Sequence, residues 1–219
     1  MAAISYTAVL AGKYGVGKTS IFRRLMHGKY IEEEEITTTS GLEKYTYSTC
    51  VGDDAAPVEL TLWDTGGLER HDSMTCSYYR WCNAVILMYD LGNLISLTSL
   101  HDWGKAARTY SNLKEDVVLS LWGNKADVTT DCDSVKEWDA ALQALMSEFS
   151  IPPSLHFVVS AKTGANVRAA FDSLVRNVHS KLSYIGDRLT GPEMEENDPL
   201  RTVSVKQANG SGKEDQCSC

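Results

Sequence analysis

The stretch ISYTAVLAGKYGVGKTSIFRRLMHG, residues 4–28, decides the fold. Residues 4–12 are apolar enough for a buried strand, and residues 18–28 have helical spacing with Ile21 and Leu25 on the inner face. Between them, GKYGVGKT matches the pattern G-x-x-x-x-G-K-[ST]. A strand, a glycine-rich turn and a helix in this order are the setting that a phosphate-binding loop requires, so the sequence predicts one here.

The chemistry of this loop comes mostly from its backbone. Gly15 and Gly17 allow dihedral angles that other residues avoid, so successive N–H groups can ring phosphate oxygens at the positive end of a helix. The Lys18 ammonium would neutralise the outer phosphates, and the Thr19 hydroxyl would ligate Mg²⁺. The predicted phosphate-binding residues of this loop are Gly15, Val16, Gly17, Lys18, Thr19 and Ser20.

Outward from this unit, short apolar runs alternate with longer segments of helical period. Further strands are predicted at residues 42–51, 58–63, 83–90, 117–124 and 155–160, and helices near residues 69–81, 94–110, 134–149 and 165–184. The first two of these strands alternate like an antiparallel pair joined by the turn-rich GDDAAP. The order as a whole predicts an α/β fold with a mostly parallel sheet, whose ligands lie beyond the carboxyl ends of the strands.

Composition and charge exclude several classes of protein. The 219 residues carry a net charge of -8 with a pI near 5.1, so the basic footprint of a nucleic-acid-binding protein is missing and no nucleic acid partner is expected. The start of the chain lacks the basic and apolar segments of a secretory leader, and the first four of the six cysteines lack metal-ligand spacing. These features predict a cytosolic chain with free thiols. No run approaches the ~20 apolar residues of a membrane span.

A second motif, WDTGG at residues 63–67, ends a predicted strand. Asp64 is placed to hold the magnesium shell, as the acidic residue at a strand end does in proteins with a phosphate-binding loop. Gly67 would offer its N–H to a terminal phosphate. The letters D-T-G-G alone are a weak indicator, and their pairing with the phosphate-binding loop makes them a strong one.

Two further motifs, NKAD at residues 124–127 and SAK at residues 160–162, also follow predicted strands. A carboxylate at Asp127 would accept hydrogen bonds from N1–H and the exocyclic amine of guanine, a pair of donors that adenine lacks. Leaving such a buried acceptor unmet costs about 1–3 kcal/mol or more, so the pattern indicates a guanine site. The Ala161 N–H would meet the guanine O6. The predicted guanine-binding residues are Asn124, Lys125, Asp127, Ser160, Ala161 and Lys162.

In this order, each after a strand, the motifs resemble those of the Ras-superfamily small GTPases, and most of all the Rab family. The more Rab-like pieces are LTLWDTGG, ERHDSMTCSYYRW, VILMYD and the ending CSC, and the match covers about residues 4–184. The resemblance implies a P-loop NTPase three-layer sandwich, with a six-stranded, mostly parallel sheet and five helices. It also implies that GTP or GDP binds with Mg²⁺, and that GTP orders two loops that recruit effectors in vesicle traffic.

The same resemblance implies a set of protein partners and a monomeric chain. The partners are effectors, an exchange factor, an activating protein, and a GDP-dissociation inhibitor or escort protein. Two of the three aromatic residues that Rab proteins present to effectors match Trp63 and Tyr78, which could equally be packing residues between switch and sheet. The third, usually phenylalanine, falls on Lys44, so effector choice does not transfer from better-known Rab proteins.

The first switch of the family carries a threonine whose hydroxyl reaches Mg²⁺. The segment ITTTSGLE leaves two candidates for it. Alignment to the Rab pattern picks Thr39, which we favour, whereas counting from the phosphate-binding loop with the commonest loop length picks Thr37. The implied metal ligands are therefore Thr19, Thr39 and Asp64.

Leu68 is the sharpest departure from the family pattern Asp-Thr-Ala-Gly-Gln-Glu, because it stands on the glutamine that orients the attacking water. Leucine has no donor or acceptor, so no catalytic residue is predicted in this chain. Intrinsic hydrolysis, on the order of 10⁻⁴ s⁻¹ in the Ras example, is expected to be slower by roughly 10–100-fold. Many Rab activating proteins supply an arginine and a glutamine in trans, so assisted hydrolysis stays open.

The alternative is a constitutively GTP-bound scaffold with no meaningful GTPase activity. Tyr14 bears on this choice because it occupies a position beside the expected γ-phosphate that is usually small in the family. A ring there could crowd an incoming arginine, or it could point to solvent.

After about residue 185 the periodic patterns stop. Residues 186–219 are polar, with glycine, proline, serine and acidic residues, so a flexible tail is expected after a GTPase domain of residues 1–185. The ending Cys217-Ser218-Cys219 resembles the Rab CxC signal, which carries a geranylgeranyl group on both cysteines. Two lipid chains anchor stably, so the expected location is the cytoplasmic face of an intracellular or plasma membrane, with a cytosolic pool.

Overall fold

A computed structural model of the chain describes residues 3–30, 43–51, 56–65, 78–128 and 135–183. Six strands form one sheet in the order β2-β3-β1-β4-β5-β6. The strands are β1 Ile4–Ala11, β2 Glu43–Val51, β3 Ala56–Asp64, β4 Ala84–Asp90, β5 Val118–Asn124 and β6 His156–Val158. Neighbouring strands run parallel except for β2 and β3, which are antiparallel. The predicted α/β fold with a six-stranded, mostly parallel sheet is confirmed.

Five α-helices have defined bounds in the described part of the chain, which is the number that the family resemblance implies. They are α1 Lys18–His27, α2 Leu94–Thr98, α3 Leu100–Tyr110, α4 Val135–Glu148 and α5 Val167–Ser183. Short 3₁₀ turns occur at Lys114–Asp116 and Pro153–Leu155. Of the helix predicted near residues 69–81, residues 78–80 are helical and residues 69–77 lie outside the described residues.

The helix predicted over residues 94–110 is interrupted at Ser99. The Ser99 hydroxyl donates to the Ser96 carbonyl at 3.0 Å, a local bond that competes with the helical pattern of the backbone. The Ser96 hydroxyl in turn donates to the Asn93 carbonyl at 2.6 Å. The sequence periodicity does not show this break because the apolar spacing continues across it.

Helix α1 has glycine at both of its ends. It starts after Gly17, which has a φ of 94°, and it ends at Gly28, whose N–H donates to the Arg24 carbonyl at 2.9 Å. Ile21 is fully buried and Leu25 is 8% exposed, so the predicted inner face is confirmed. Because the helix starts directly after the glycine-rich loop, its N-terminal amides face the carboxyl edge of the sheet.

The core is built on the two central strands. Every residue of β5 is buried, and β4 is buried up to its last residue, Asp90, as central strands covered on both faces require. Strand β6 is shorter than predicted because the chain leaves the sheet after Val158. There the Val159 N–H still donates to the Gly123 carbonyl at 2.7 Å, but the Ser160 N–H turns to Ala165 at 3.1 Å.

The chain divides into two units, Met1–Lys181 and Leu182–Cys219, and all six strands belong to the first. Within the described ranges, no helix combines the length and the apolar character that crossing a membrane requires.

Candidate nucleotide-binding site

The predicted motifs meet at one edge of the sheet. The phosphate loop, residues 12–17, follows β1, and the parallel register pairs Val9 of β1 with Trp63 of β3. On the other side of β1, Asp90 at the end of β4 pairs with Asn124 at the end of β5. The loops after β1, β3, β5 and β6 therefore emerge side by side, as the sequence predicts for a ligand site at the carboxyl ends of parallel strands.

The phosphate loop depends on glycine at two positions where a side chain has no room. A Cβ on Gly12, which has a φ of 141°, would lie 2.3 Å from the Met88 carbonyl oxygen. A Cβ on Gly17, with a φ of 94°, would lie 2.3 Å from Asn124 Nδ2. Both glycines permit a backbone conformation that exposes the loop amides to an anion.

Lys18 lies across the phosphate loop. Its side chain is buried, and Nζ donates to the carbonyl oxygens of Gly12 at 2.7 Å and Lys13 at 3.0 Å. The ammonium group is thus held against the backbone of the phosphate loop. This position suits neutralisation of phosphate oxygens, the role predicted for Lys18 from the sequence.

The end of β3 supplies two buried oxygen-bearing side chains. Asp64 is completely buried, and the neighbouring Thr65 is 5% exposed. The Thr65 hydroxyl donates to the Leu10 carbonyl at 3.0 Å, which ties the end of β3 to the end of β1 just before the phosphate loop. Sequence reasoning gave Thr65 no role, although its place between Asp64 and a glycine pair marks it as a residue of the motif.

The described donors fit Mg²⁺. Asp64 offers one carboxylate and Thr19, in the first turn of α1, offers a hydroxyl; both are hard oxygen ligands. The described residues contain no group of three or more His, Cys, Asp or Glu side chains that could cage a metal. Mg²⁺ is typically held through one or two protein ligands together with phosphates and water, a role that the oxygens of Asp64 and Thr19 can fill.

Asn124 joins the phosphate loop to the base loops, which we define as residues 124–128 and 159–164. Its side chain is buried, Nδ2 donates to the Val16 carbonyl at 2.9 Å, and Oδ1 accepts the Ala161 N–H at 3.0 Å. The Ala161 N–H, which the sequence assigns to the guanine O6, is therefore already engaged. A base oxygen would have to share this N–H with Asn124.

Asp127 and Ser160 form a second link between the base loops. The buried Ser160 hydroxyl donates to Asp127 Oδ1 at 2.5 Å and accepts the Thr163 N–H at 3.1 Å. The Asp127 carboxylate is exposed, not buried as the argument for guanine selection assumes. An unmet acceptor is costly only when it is buried, so the bound base itself would have to cover the Asp127 carboxylate.

The two lysines of the base loops differ in environment. Lys125 has a φ of 69°, a left-handed conformation that non-glycine residues seldom adopt outside functional or strained positions. Its Nζ lies 2.8 Å from Asp90 Oδ2, so β4 and β5 are bridged at the carboxyl edge. Lys162 is exposed, and its carbonyl accepts from the Arg24 guanidinium.

Three aromatic residues singled out in the sequence differ in exposure. Tyr14 in the phosphate loop is 68% exposed, whereas the proposed effector residues Trp63 and Tyr78 are each 4% exposed. The Lys44 ammonium lies 5.9 Å from the centre of the Trp63 ring, within the range of a cation–π contact. Burial raises the pKa of the Tyr78 phenol.

Several predicted residues lie outside the described residues. They are Thr37 and Thr39 of the first switch, Gly67 and Leu68 after β3, and the terminal Cys217 and Cys219.

Comparison with known proteins agrees with this arrangement. The model of the Ras family matches residues 7–180. Rab-26 of Drosophila melanogaster is 34% identical over 184 residues, which cover 84% of this chain and 45% of that protein. Mouse Rab-37 is 34% identical over 170 residues, which cover 78% of this chain and 71% of that protein. Rab-3 of Caenorhabditis elegans is 32% identical over 209 residues, which cover 93% of this chain and 90% of that protein.

The chain covers 45% to 65% of the length of the Rab-26 proteins from fly and cattle. With Rab-3 the alignment extends over nearly the whole of both chains. The chain therefore belongs to the Ras family and, within it, to the Rab small GTPases.

Proposed function

We propose that this chain is a Rab-type molecular switch that binds GTP or GDP with Mg²⁺ and recruits effectors to membranes in vesicle traffic. The observation that carries the proposal is the pair of hydrogen bonds made by Asn124. They fix the phosphate loop and the base loops to each other, as one nucleotide spanning both would require. Membership of the Rab small GTPases supports the same function.

On the phosphate side, the backbone amides of residues 15–19 and the Gly67 N–H bind the phosphate oxygens, with Val16 and Ser20 in the same ring. The Lys18 ammonium donates to two loop carbonyls, and it can donate to phosphate oxygens instead with only a small movement of the side chain. Thr19, Asp64 and Thr39 hold Mg²⁺. When bound, the ion neutralises charge on the β- and γ-phosphates.

On the base side, the Asp127 carboxylate accepts N1–H and the exocyclic amine of guanine. The Ser160 hydroxyl at 2.5 Å fixes one of its oxygens, so the carboxylate does not have to reorient when the base arrives. Adenine presents no matching donors and would leave the covered carboxylate unpaired. Lys125 and Lys162 complete the walls of the base site.

Hydrolysis without a partner is slow in this proposal because Leu68 carries no group that can orient water. An activating protein that brings its own arginine and glutamine restores turnover. The constitutively GTP-bound scaffold is the second candidate, and Leu68 is the observation that favours it, because leucine cannot orient the attacking water. The Tyr14 ring is 68% exposed, so it lies in solvent beside the phosphate loop.

The tail supplies the membrane anchor. Residues 186–219 follow the GTPase domain of residues 1–185, and Cys217 and Cys219 near their end each carry a geranylgeranyl group. The protein then divides between the cytoplasmic face of a membrane and a cytosolic pool. An exchange factor, an activating protein and a GDP-dissociation inhibitor or escort protein control that division.

Single-turnover hydrolysis of bound GTP tests the proposal and separates the two candidates. We expect the unaltered chain to hydrolyse GTP slowly alone and faster with an activating protein that supplies both groups. Leu68→Gln should raise the rate without a partner by roughly 10–100-fold. Leu68→Met is the matched control, since it changes the side chain without adding a group that orients water. No turnover within hours under either condition would favour the scaffold, and no binding of guanine nucleotide would exclude both.

A further inference from the structure

One guanidinium joins the phosphate-binding helix to the base loops, and the motifs assign it no role. Arg24 lies in the last turn of α1, outside the phosphate loop. Its Nε donates to the Ala161 carbonyl at 2.8 Å, and its Nη2 donates to the Lys162 carbonyl. Its Nη1 donates to the Gly28 carbonyl at 3.0 Å, just past the end of the helix. Three carbonyls are thus held by the planar fork of one side chain.

These bonds set the direction of the backbone in the second base loop. In a trans peptide, the N–H points away from the carbonyl of the preceding residue. Because the Lys162 carbonyl faces Arg24, the Thr163 N–H faces the other way, where the Ser160 hydroxyl accepts it at 3.1 Å. The same hydroxyl donates to Asp127 at 2.5 Å.

A continuous series of contacts therefore runs from Arg24 through the SAK backbone and Ser160 to the carboxylate that selects guanine. We propose that Arg24 is a positioning residue for guanine recognition: it orients Asp127 through Ser160 and makes α1 and the base loops one rigid unit. This inference rests on the proposed guanine function and deepens it, because it assigns part of the base specificity to a residue that does not touch the nucleotide.

The chemistry of the guanidinium explains why arginine serves here. A lysine at this position has the same charge but concentrates its donors on one nitrogen, so it cannot hold two neighbouring carbonyls in a fixed fork. A glutamine of similar reach offers one amide group. Both changes leave α1 with a good helix former and should therefore spare the fold.

The test compares GDP with IDP, which lacks only the exocyclic amine that Asp127 accepts. Affinities are measured by displacement of a fluorescent GDP analogue from the full chain. We expect Arg24→Lys and Arg24→Gln each to weaken GDP by about tenfold, the scale of one charge-assisted hydrogen bond, and to weaken IDP much less. The ratio of GDP to IDP affinity should therefore fall. Arg23→Lys, the same change one residue earlier on α1, is the matched control and should leave the ratio unchanged.

A purely structural role would weaken GDP and IDP equally, so an unchanged ratio in both folded Arg24 variants would overturn the proposal. Urea unfolding of each variant with and without GDP checks that the fold is kept. If one variant fails to fold, the other decides, and faster amide exchange at Thr163 in it is the second expected sign. If the unaltered chain itself binds GDP and IDP equally, the guanine assignment fails first and this inference fails with it.

Discussion

The phosphate loop and the base loops lie side by side and hold their shapes by different means. In the phosphate loop, the conformation follows from glycines: Gly12 has a φ of 141° and no space for a Cβ. In the base loops, side chains do this work. Asn124 and Arg24 bond to backbone groups of another segment, and Ser160 bonds to the Thr163 N–H and to the Asp127 carboxylate. Side-chain chemistry thus decides which base fits, while backbone conformation decides whether phosphate fits.

The difference has a consequence for substitutions. A change at a glycine of the phosphate loop acts through strain and collision, so it should cost folding free energy whether or not a nucleotide is present. A change at a polar side chain of the base loops removes a specific contact, so it should change selectivity more than stability. The four predictions below test this contrast, from the largest expected effect to the smallest.

Asp127→Asn should give the largest effect, a shift of preference from GDP toward XDP on the order of 10³-fold. The amide can donate to the C2 oxygen of xanthine, where guanine presents an amine. Stability without nucleotide should hardly change, because the amide oxygen can still accept from the Ser160 hydroxyl. Competitive displacement by the two nucleotides measures the shift.

The matched control is Asp139→Asn, which removes one exposed carboxylate from α4 and should leave the preference for GDP as it was. An Asp127→Asn variant that still prefers GDP would remove this carboxylate from the base site. The contrast between the two sets of loops would then lose its main support.

Gly12→Ala should lower the free energy of unfolding by about 3 kcal/mol, from backbone strain and overpacking together. Its new Cβ would stand 2.3 Å from a main-chain carbonyl that cannot turn aside. Gly15→Ala is the matched control: its φ is 83°, but no atom lies within 4 Å of the new Cβ, so only strain of about 1 kcal/mol is expected. Urea unfolding without nucleotide measures both, and equal losses would show that collision adds nothing at Gly12.

How far the sequence could predict these two regions follows from the same contrast. The phosphate loop was predictable because its glycine spacing, its lysine and the flanking strand and helix lie within one continuous segment. All six strands were predictable for a similar reason, since each is marked by a local pattern: alternation in β2 and β3, and an apolar run in the others. The end of β6 was predicted two residues late, because Ser160 leaves the sheet through a loop hydrogen bond to Ala165 that no periodicity encodes.

The base loops could be predicted only in part. Their residue types were evident, but the Asn124 bridge to Val16 and the Arg24 bridge to Ala161 join positions 108 and 137 residues apart, respectively. Only the folded sheet brings such positions together. For the same reason the sequence assigned the Ala161 N–H to the base without seeing that Asn124 already accepts it.

Ser160→Ala should have an intermediate effect, and it should separate binding of the base from binding of phosphate. It removes the donor to Asp127 and leaves the Thr163 N–H without its acceptor, so GDP affinity should fall about tenfold. Affinity for inorganic phosphate, a probe of the phosphate loop alone, should stay the same. Ser173→Ala is the control, because it removes hydroxyl hydrogen bonds of α5, to the Ser154 carbonyl and from the Asn177 amide, and none of them involves the base loops. A loss of phosphate affinity in Ser160→Ala would mean that the two sets of loops are not separable.

The smallest effect should be a pH dependence of the free energy of unfolding, which arises at His156 beneath the base loops. His156 Nε2 lies 3.1 Å from the Tyr89 hydroxyl, and the Tyr89 ring lies under Gly123, directly before Asn124. Burial lowers the pKa of His156 below its ordinary 6.5, and it raises the pKa of Tyr89 to about 12, so only the histidine titrates near neutrality.

The unfolded chain therefore binds this proton at a higher pH than the folded chain does. The free energy of unfolding that the neutral, buried His156 supports is therefore complete above about pH 6.5, and it is lost as the pH falls below that value. Urea midpoints at about pH 7.5 and about pH 5.5 should differ less in His156→Gln than in the unaltered chain, whereas His27→Gln, at an exposed position on α1, should keep the full difference. If the difference between the two urea midpoints is unchanged in His156→Gln, protonation of His156 does not destabilise the fold. The base loops would then be sensitive only to changes in their own hydrogen bonds.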